Sequence, residues 1–270
     1  MQKKQEKNNR PIGIFDSGFG GLTVMSAISK LLPKENLIYF GDSAHVPYGS
    51  KSKKAVTNFT VNISKFLESK DVKLIVVACN TASAFSLDTL KKVIKVPIIG
   101  VIEAGSVTAA RNTSNKRVGV IGTEGTIKSN AYAAEIKKHD NKINCFSKAC
   151  PLFVPLVEEG WNKGKITEEI INVYLKDLVN KKIDTLILGC THYPLLKNSI
   201  QKIIGKKIKI IDSATAVAMA VKDLLENKNL LRNKGAGKYC FYVSDDPEKF
   251  KTLGSKFFNN KIDKVVKVDL

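Results

Sequence analysis

Between positions 74 and 79 the chain reads LIVVAC, an uninterrupted apolar run. It is long enough for one strand and far too short to cross a bilayer. A strand that is apolar at every position has both faces covered, which is the mark of a parallel sheet wrapped by helices. The wider run Val72–Ala78 is therefore predicted as a buried parallel strand, with a helix before it from about Lys53 to Ser69 and another after it, leading to a strand at Val96–Val101.

Similar units lie on both sides of this one. Pro11–Phe15 reads as a first strand, the Gly-rich Asp16–Gly21 follows, and a helix runs to about Leu32 before a strand at Leu37–Phe40. Further on, Arg117–Ile121, Asn144–Phe146, Thr185–Gly189 and Ile208–Ile211 read as strands, and Glu168–Asn180 as a helix with Thr167 placed to cap it. An Ala-rich helix, Ser213–Glu226, precedes a polar connector and a final strand–helix–strand. Alternating strands and helices imply a doubly wound α/β sheet.

The pattern restarts. IGIFDSG at 12–18 resembles VGVIGTEG at 118–125, and LIVVACNTAS at 74–83 resembles TLILGCTHYP at 185–194. At about 150 residues per domain, a chain of 270 residues accommodates two small domains. The expected fold is α/β, with two pseudo-symmetric doubly wound lobes and the active site in the cleft between them. Residues 1–100 plus 213–270 would form the first lobe and residues 101–212 the second.

In open α/β sheets, sites form at the carboxyl ends of the strands. The loops expected there are Asp16–Gly21, Pro47–Ser50, Cys79–Thr81 and Cys190–His192. The Gly-rich loop lacks both GxxxxGK[ST] and GxGxxG, so it does not read as a nucleotide site, although a loop opening a helix suits a small anion.

Cys79 and Cys190 follow equivalent strands of the two halves. If the lobes face each other, two thiols flank one cleft, and one could remove a proton from a carbon while the other delivers one to the opposite face. That arrangement inverts a stereocentre. Asp16 and His192 are placed to tune the thiols. Cys190-x-His192 is too cramped for a structural zinc site and no further cluster completes one, so no metal is expected. A hydrolase with Cys190 as nucleophile and His192 as base needs two residues at i and i+2 to reach each other at a strand end, which is poor geometry. Cys145, Cys150 and Cys240 read as structural, and His45 and His139 as ordinary loop or surface residues.

A hydrophobic content of 43% excludes a disordered chain. The formal charge of +19 invites a nucleic-acid partner, but 40 of the 44 basic residues are Lys, spread along the chain, and nucleic-acid readers favour Arg. Nucleic acid is not expected as the main partner, nor is a membrane. The polar opening decapeptide is followed by no signal-like apolar stretch, the Cys count of five is odd, and no CxxC occurs. These features point to a reducing cytoplasm.

The segments IGIFDSGFGGLTV, YFGDSAHVPYGSKS, VVACNTASA, GVIGTEGTIKSNAY, PLFVPLVEEG and LGCTHYPLL together resemble the cofactor-independent aspartate/glutamate racemase superfamily, and its glutamate racemases in particular, from about Ile12 to Ala214. The resemblance implies interconversion of L- and D-glutamate without a cofactor, and a product that feeds peptidoglycan synthesis. It implies Cys79 and Cys190 as the two acid/bases, Cys79 acting on D-glutamate and Cys190 on L-glutamate. Asp16, His192 and Glu158 would support them. Substrate contacts would come from Asp16, Ser17, Pro47, Tyr48, Gly49, Asn80, Thr81, Thr123, Thr126, Thr191 and His192. A homodimer is also implied. Ser43 and His45 stand where many relatives carry Thr and Arg. An aspartate or broad-specificity racemase is the rival within the superfamily.

Overall fold

The computed structural model describes residues 7–270, so MQKKQE of the N-terminal extension lies outside it. Two parallel sheets form the frame. The first has the order β10-β9-β2-β1-β3-β4 and the second the order β6-β5-β7-β8. The first is built from β1 (Ile12–Asp16), β2 (Leu37–Gly41), β3 (Leu74–Val77), β4 (Ile98–Gly100), β9 (Tyr239–Val243) and β10 (Val266–Lys267). The second uses β5 (Arg117–Gly122), β6 (Asn144–Ala149), β7 (Thr185–Gly189) and β8 (Lys209–Asp212). In both sheets four consecutive strands adopt the same order, second-first-third-fourth, so β1 corresponds to β5 and β3 to β7. The fold is a two-lobe α/β architecture in which the first sheet carries β9 and β10 as extra strands beyond β2.

Strand β3 is central and has neighbours on both edges, with Ile12 opposite Leu74 and Ile75 opposite Ile98. Its two faces feed different cores. Leu74 and Val76 join Ile12, Ile14 and Met25, while Ile75 and Val77 join Phe15, Phe40 and Leu67. That double burial is why LIVV carries no alternation.

Helices α1 (Leu22–Leu31), α2 (Lys53–Ser69), α3 (Asn80–Val93) and α4 (Val101–Asn112) fall in the first part of the chain, and α5 (Glu124–Lys128), α6 (Ala131–His139), α7 (Phe153–Glu158), α8 (Lys165–Asn180) and α9 (Lys197–Ile204) in the second. Helix α10 (Ser213–Asn227) packs on both α1 and α4, and α4 packs on α6 and β7, joining the two halves. Helix α11 (Pro247–Phe258) lies against α1.

Several expectations are corrected. The strand expected at Val72–Ala78 shortens to Leu74–Val77. Lys73 instead plugs the end of the sheet opposite the Cys79 loop. Its buried Nζ donates to Glu35 Oε2 at 2.5 Å and to the carbonyls of Asn8 and Leu230 at 2.8 Å. Burial lowers the Lys73 pKa, and Glu35 opposes that. Strand β4 is shorter than Val96–Val101 because Pro97 has no N–H to give and Val101 already begins α4. Strand β6 runs on to Ala149; as an edge strand pairing only with β5, it needs no apolar run. Thr167 does not cap α8. The helix starts at Lys165 behind Gly164, whose φ of 110° turns the chain in, and Thr167 lies inside with its hydroxyl donating to the Trp161 carbonyl. Helix α4 escapes the pattern reading because, beyond Val101 and Ile102 in its first turn, its buried face is built from Ala104, Gly105, Ser106 and Ala109, too small to leave an apolar stripe.

Candidate active site

In the order second-first-third-fourth, the chain leaves the first and third strands toward opposite sides, which opens a crevice between their carboxyl ends. Each sheet has one such crevice, and the two share a single cavity. Ser17, Tyr48, Cys79, Asn80 and Thr81 line it from the first sheet, and Thr123, Cys190, Thr191 and His192 from the second, with Pro47 and Gly49 completing the wall. Among the described residues, no Lys or Arg lines it. The enclosed volume is only about 20 Å³, on the scale of a single water. A larger groove of about 400 Å³ beside Lys53, Phe85 and Glu135 holds neither cysteine, so chemistry rather than size marks the site.

Cys79 stands at the N-cap of α3, where its Sγ accepts the Ala82 amide at 3.4 Å and its thiol reaches Ser17 Oγ at 3.8 Å. A helix start favours negative charge on sulfur. Burial and the neighbouring Asp16 outweigh that pull and push the Cys79 pKa up to about 12. The resting group is the thiol.

Asp16, at the end of β1, sits behind the cavity wall, fully buried. Its Oδ2 accepts the Gly18 amide at 3.1 Å and its Oδ1 the Thr191 hydroxyl at 3.4 Å, so it ties the first lobe to the second. Burial raises its pKa, opposed by His192 and by the amides of Gly21, Gly18 and Ser17. The amide-rich loop thus already faces a carboxyl group of its own.

Cys190 has different company. His192 Nδ1 lies 3.9 Å from its Sγ, and His192 Nε2 lies 3.0 Å from Glu158 Oε1 on α7. Burial pulls His192 down, but the hydrogen bonds to Cys190 and Glu158 prevail and raise its pKa to about 10. The imidazolium therefore donates to sulfur on one side and carboxylate on the other. Phe19 and Phe257 pack edge-on against the ring and keep it dry.

Thr81, Thr123 and Thr126 form a hydroxyl triangle across the cleft, with sides of 2.9, 3.1 and 3.2 Å, which places Thr126 behind Thr81 and Thr123 rather than in the wall. Tyr48 is buried and its phenol donates to Asp42 Oδ2 at 2.5 Å. Asp42 also accepts Ser244 Oγ at 2.7 Å and His45 Nδ1 at 2.9 Å. His45, expected to be an ordinary loop residue, belongs to this support and stacks on Phe59. His139 is a surface residue of α6, 3.4 Å from Glu135. Cys150 is buried and its carbonyl accepts the Tyr193 hydroxyl; Cys145 is half-buried, and Cys240 is exposed on β9.

Sequence reasoning brought the two thiols, Asp16, His192, Glu158 and the wall residues into one neighbourhood. It missed Val46 and Val154, which line the cavity and carry no chemical signal, and Asp42 and Tyr132, whose partners are set by tertiary contacts.

Residues 12–221 match the family described as Asp/Glu/hydantoin racemase. A glutamate racemase of Geobacter metallireducens is 48% identical over 262 residues, covering 97% of either chain. The crystal structure of a glutamate racemase from Francisella tularensis in complex with D-glutamate superposes with a TM-score of 0.91 at 41% identity, covering 97% of this chain and 98% of that one. A glutamate racemase isoform from Bacillus anthracis gives 0.94 at 38% identity with the same coverage.

Proposed function

The chain belongs to the Asp/Glu/hydantoin racemase family and is an isomerase, and on that premise we propose that it interconverts L- and D-glutamate with Cys79 and Cys190 as the two acid/bases. The observation that carries this reading is the convergence of two thiols, from equivalent strand ends of two like-ordered sheets, on one enclosed cavity. The lobe division at residues 100/101 and 212/213, which separates the two sheets, belongs to the same reading.

An α-carbon proton is weakly acidic, so the site must favour the carbanion-like transition state. With L-glutamate, Cys190 would react as its thiolate and take the α-proton, with His192, an imidazolium held by Glu158, the cation beside that sulfur as negative charge passes to the α-carbon. Cys79, held as a thiol by burial, then delivers a proton to the opposite face. With D-glutamate the roles reverse. Hydroxyls, backbone amides and the Asn80 side chain, in place of Arg, would hold the substrate carboxylates. Glutamate has ten heavy atoms and cannot enter a cavity the size of one water, so the lobes part to admit it and close to exclude solvent.

The reading extends to the cell. D-glutamate would serve peptidoglycan synthesis in the cytoplasm, where five free cysteines are at home. Among the described residues, no helix is long and apolar enough to span a membrane. Exposed Leu152, Trp161 and Ile166 offer apolar surface to a second copy of the chain, and light scattering of the purified protein tests the homodimer.

The deciding experiment follows L-to-D conversion by chiral chromatography with no cofactor added, on glutamate and aspartate, for the wild type and for Cys79→Ala and Cys190→Ala. The wild type should turn over glutamate far better than aspartate, and both variants should be dead. Full racemisation by either variant overturns the two-thiol assignment, and preferred turnover of aspartate overturns the substrate.

A further inference from the structure

Tyr132, on α6 of the second sheet's half, reaches across to the first. Its hydroxyl donates to Asn80 Oδ1 at 2.7 Å, and both side chains are buried. Asn80 is the residue after Cys79 and lines the cavity, yet its buried Nδ2 has no hydrogen-bond partner in the protein. A buried amide N–H₂ without an acceptor loses its hydration with nothing in return and calls for a ligand to satisfy it. The same Tyr132 ring is pressed against the end of β7: a β-carbon placed on Gly189 would meet it at 3.1 Å. Tyr132 thus touches both loops that carry a thiol. Burial, with Cys190 nearby, raises its pKa and keeps the phenol a donor.

We propose that Tyr132 is a positioning residue for substrate binding: by donating to Asn80 Oδ1 across the lobes, it fixes the amide with Nδ2 as the free donor, presented to an acceptor oxygen of the substrate, a carboxylate under the reading above. An asparagine amide alone can rotate and offer either edge. With Oδ1 held by a phenol that can only donate here, the amino edge faces the cavity. The grip also depends on closure, because the two residues belong to opposite halves.

The inference rests on the racemase reading, and the experiment separates the two. Glutamate racemisation kinetics are measured for the wild type, Tyr132→Phe, Asn80→Ala and the double variant. Phe keeps the ring packing at Gly189 and removes only the hydroxyl. Tyr132→Phe should raise KM about tenfold with kcat within about twofold, the size of one lost interaction of 1.4 kcal/mol. Asn80→Ala should raise KM at least as far, and the double variant should match Asn80→Ala alone, because Tyr132 acts through Asn80. An unchanged KM in Tyr132→Phe, an effect confined to kcat, or multiplied effects in the double variant overturns the inference while leaving the racemase reading intact. A wild type without glutamate turnover overturns both.

Discussion

Gly20 and His192 meet across the cleft with no room for a side chain between them. A β-carbon on residue 20 would lie 2.6 Å from His192 Nδ1 and would also collide with the Thr191 hydroxyl. The second glycine of GFGG is therefore where the lobes touch, beside the hydrogen bond that serves Cys190. Gly20→Ala should cost about 1–3 kcal/mol of stability as an overpacked contact. Its larger effect should be on kcat, falling at least about tenfold as the His192 ring is displaced, for a 1 Å misplacement costs more than that. Urea unfolding and steady-state kinetics on the same preparation check this, and a fully active variant would show that the lobes do not close on this contact.

Solvent labelling tests the two-thiol chemistry without mutation. In deuterated water, early product should carry deuterium at the α-carbon while the remaining substrate stays unlabelled, since the delivering thiol exchanges with solvent and the accepting thiol faces the other side of the carbon. Proton NMR at low conversion reads both pools. Equal labelling of substrate and product would point to one exchanging base.

The Glu158–His192 pair carries a pH signature. His192 is raised from 6.5 to about 10, so its protonation stabilises the fold fully below pH 6.5 and this contribution is lost as pH rises through about 10. Glu158→Gln removes the anionic partner. The variant should be less stable than wild type near pH 6, and the gap should shrink as pH passes about 10. Urea titrations across that range decide it: a gap independent of pH would mean that the imidazolium is not what Glu158 stabilises.

The C-terminal segment supports the Tyr48 loop through Ser244. Ser244→Ala withdraws a donor from the buried Asp42 and should cost about 1 kcal/mol. KM for glutamate should rise several-fold with little change in kcat, and Ser244→Thr, which keeps the hydroxyl, should restore it. If KM does not move, the Asp42 network does not reach the substrate loop.

At the far end of the first sheet, Lys73→Met leaves Glu35 buried without its cation and should cost about 3–5 kcal/mol, part of which Glu35→Gln in the same chain should recover. Thermal unfolding of the single and double variants measures both changes.

Local signals carried much of this architecture. A strand buried on both faces announces itself in LIVV, and a polar loop at its end announces Cys79, so both thiol loops were readable from composition at strand ends. What escaped depends on distance along the chain. Ser244 serves Asp42 from 202 residues away, and Tyr132 serves Asn80 from 52. Nothing local distinguishes either from a surface polar residue. Lys73 interrupts an apolar run and looks like an edge, yet it is buried because Glu35 and two carbonyls surround it. Thr167 has the chemistry of a cap, but Gly164 offers the positive φ that starts the helix earlier. Local preference loses to tertiary geometry at each of these places.

The two thiols sit in equivalent places but not in equivalent surroundings: Asp16, a buried carboxyl whose pKa burial raises, stands beside Cys79, and His192, a cation, beside Cys190. The enantiomers of an amino acid have the same free energy in water. The Haldane relation for a racemase therefore forces kcat/KM to be identical in the two directions, however lopsided the protein. The unequal neighbours can then express themselves only as matched differences in kcat and KM, so that the direction with the faster turnover is also the one that saturates later.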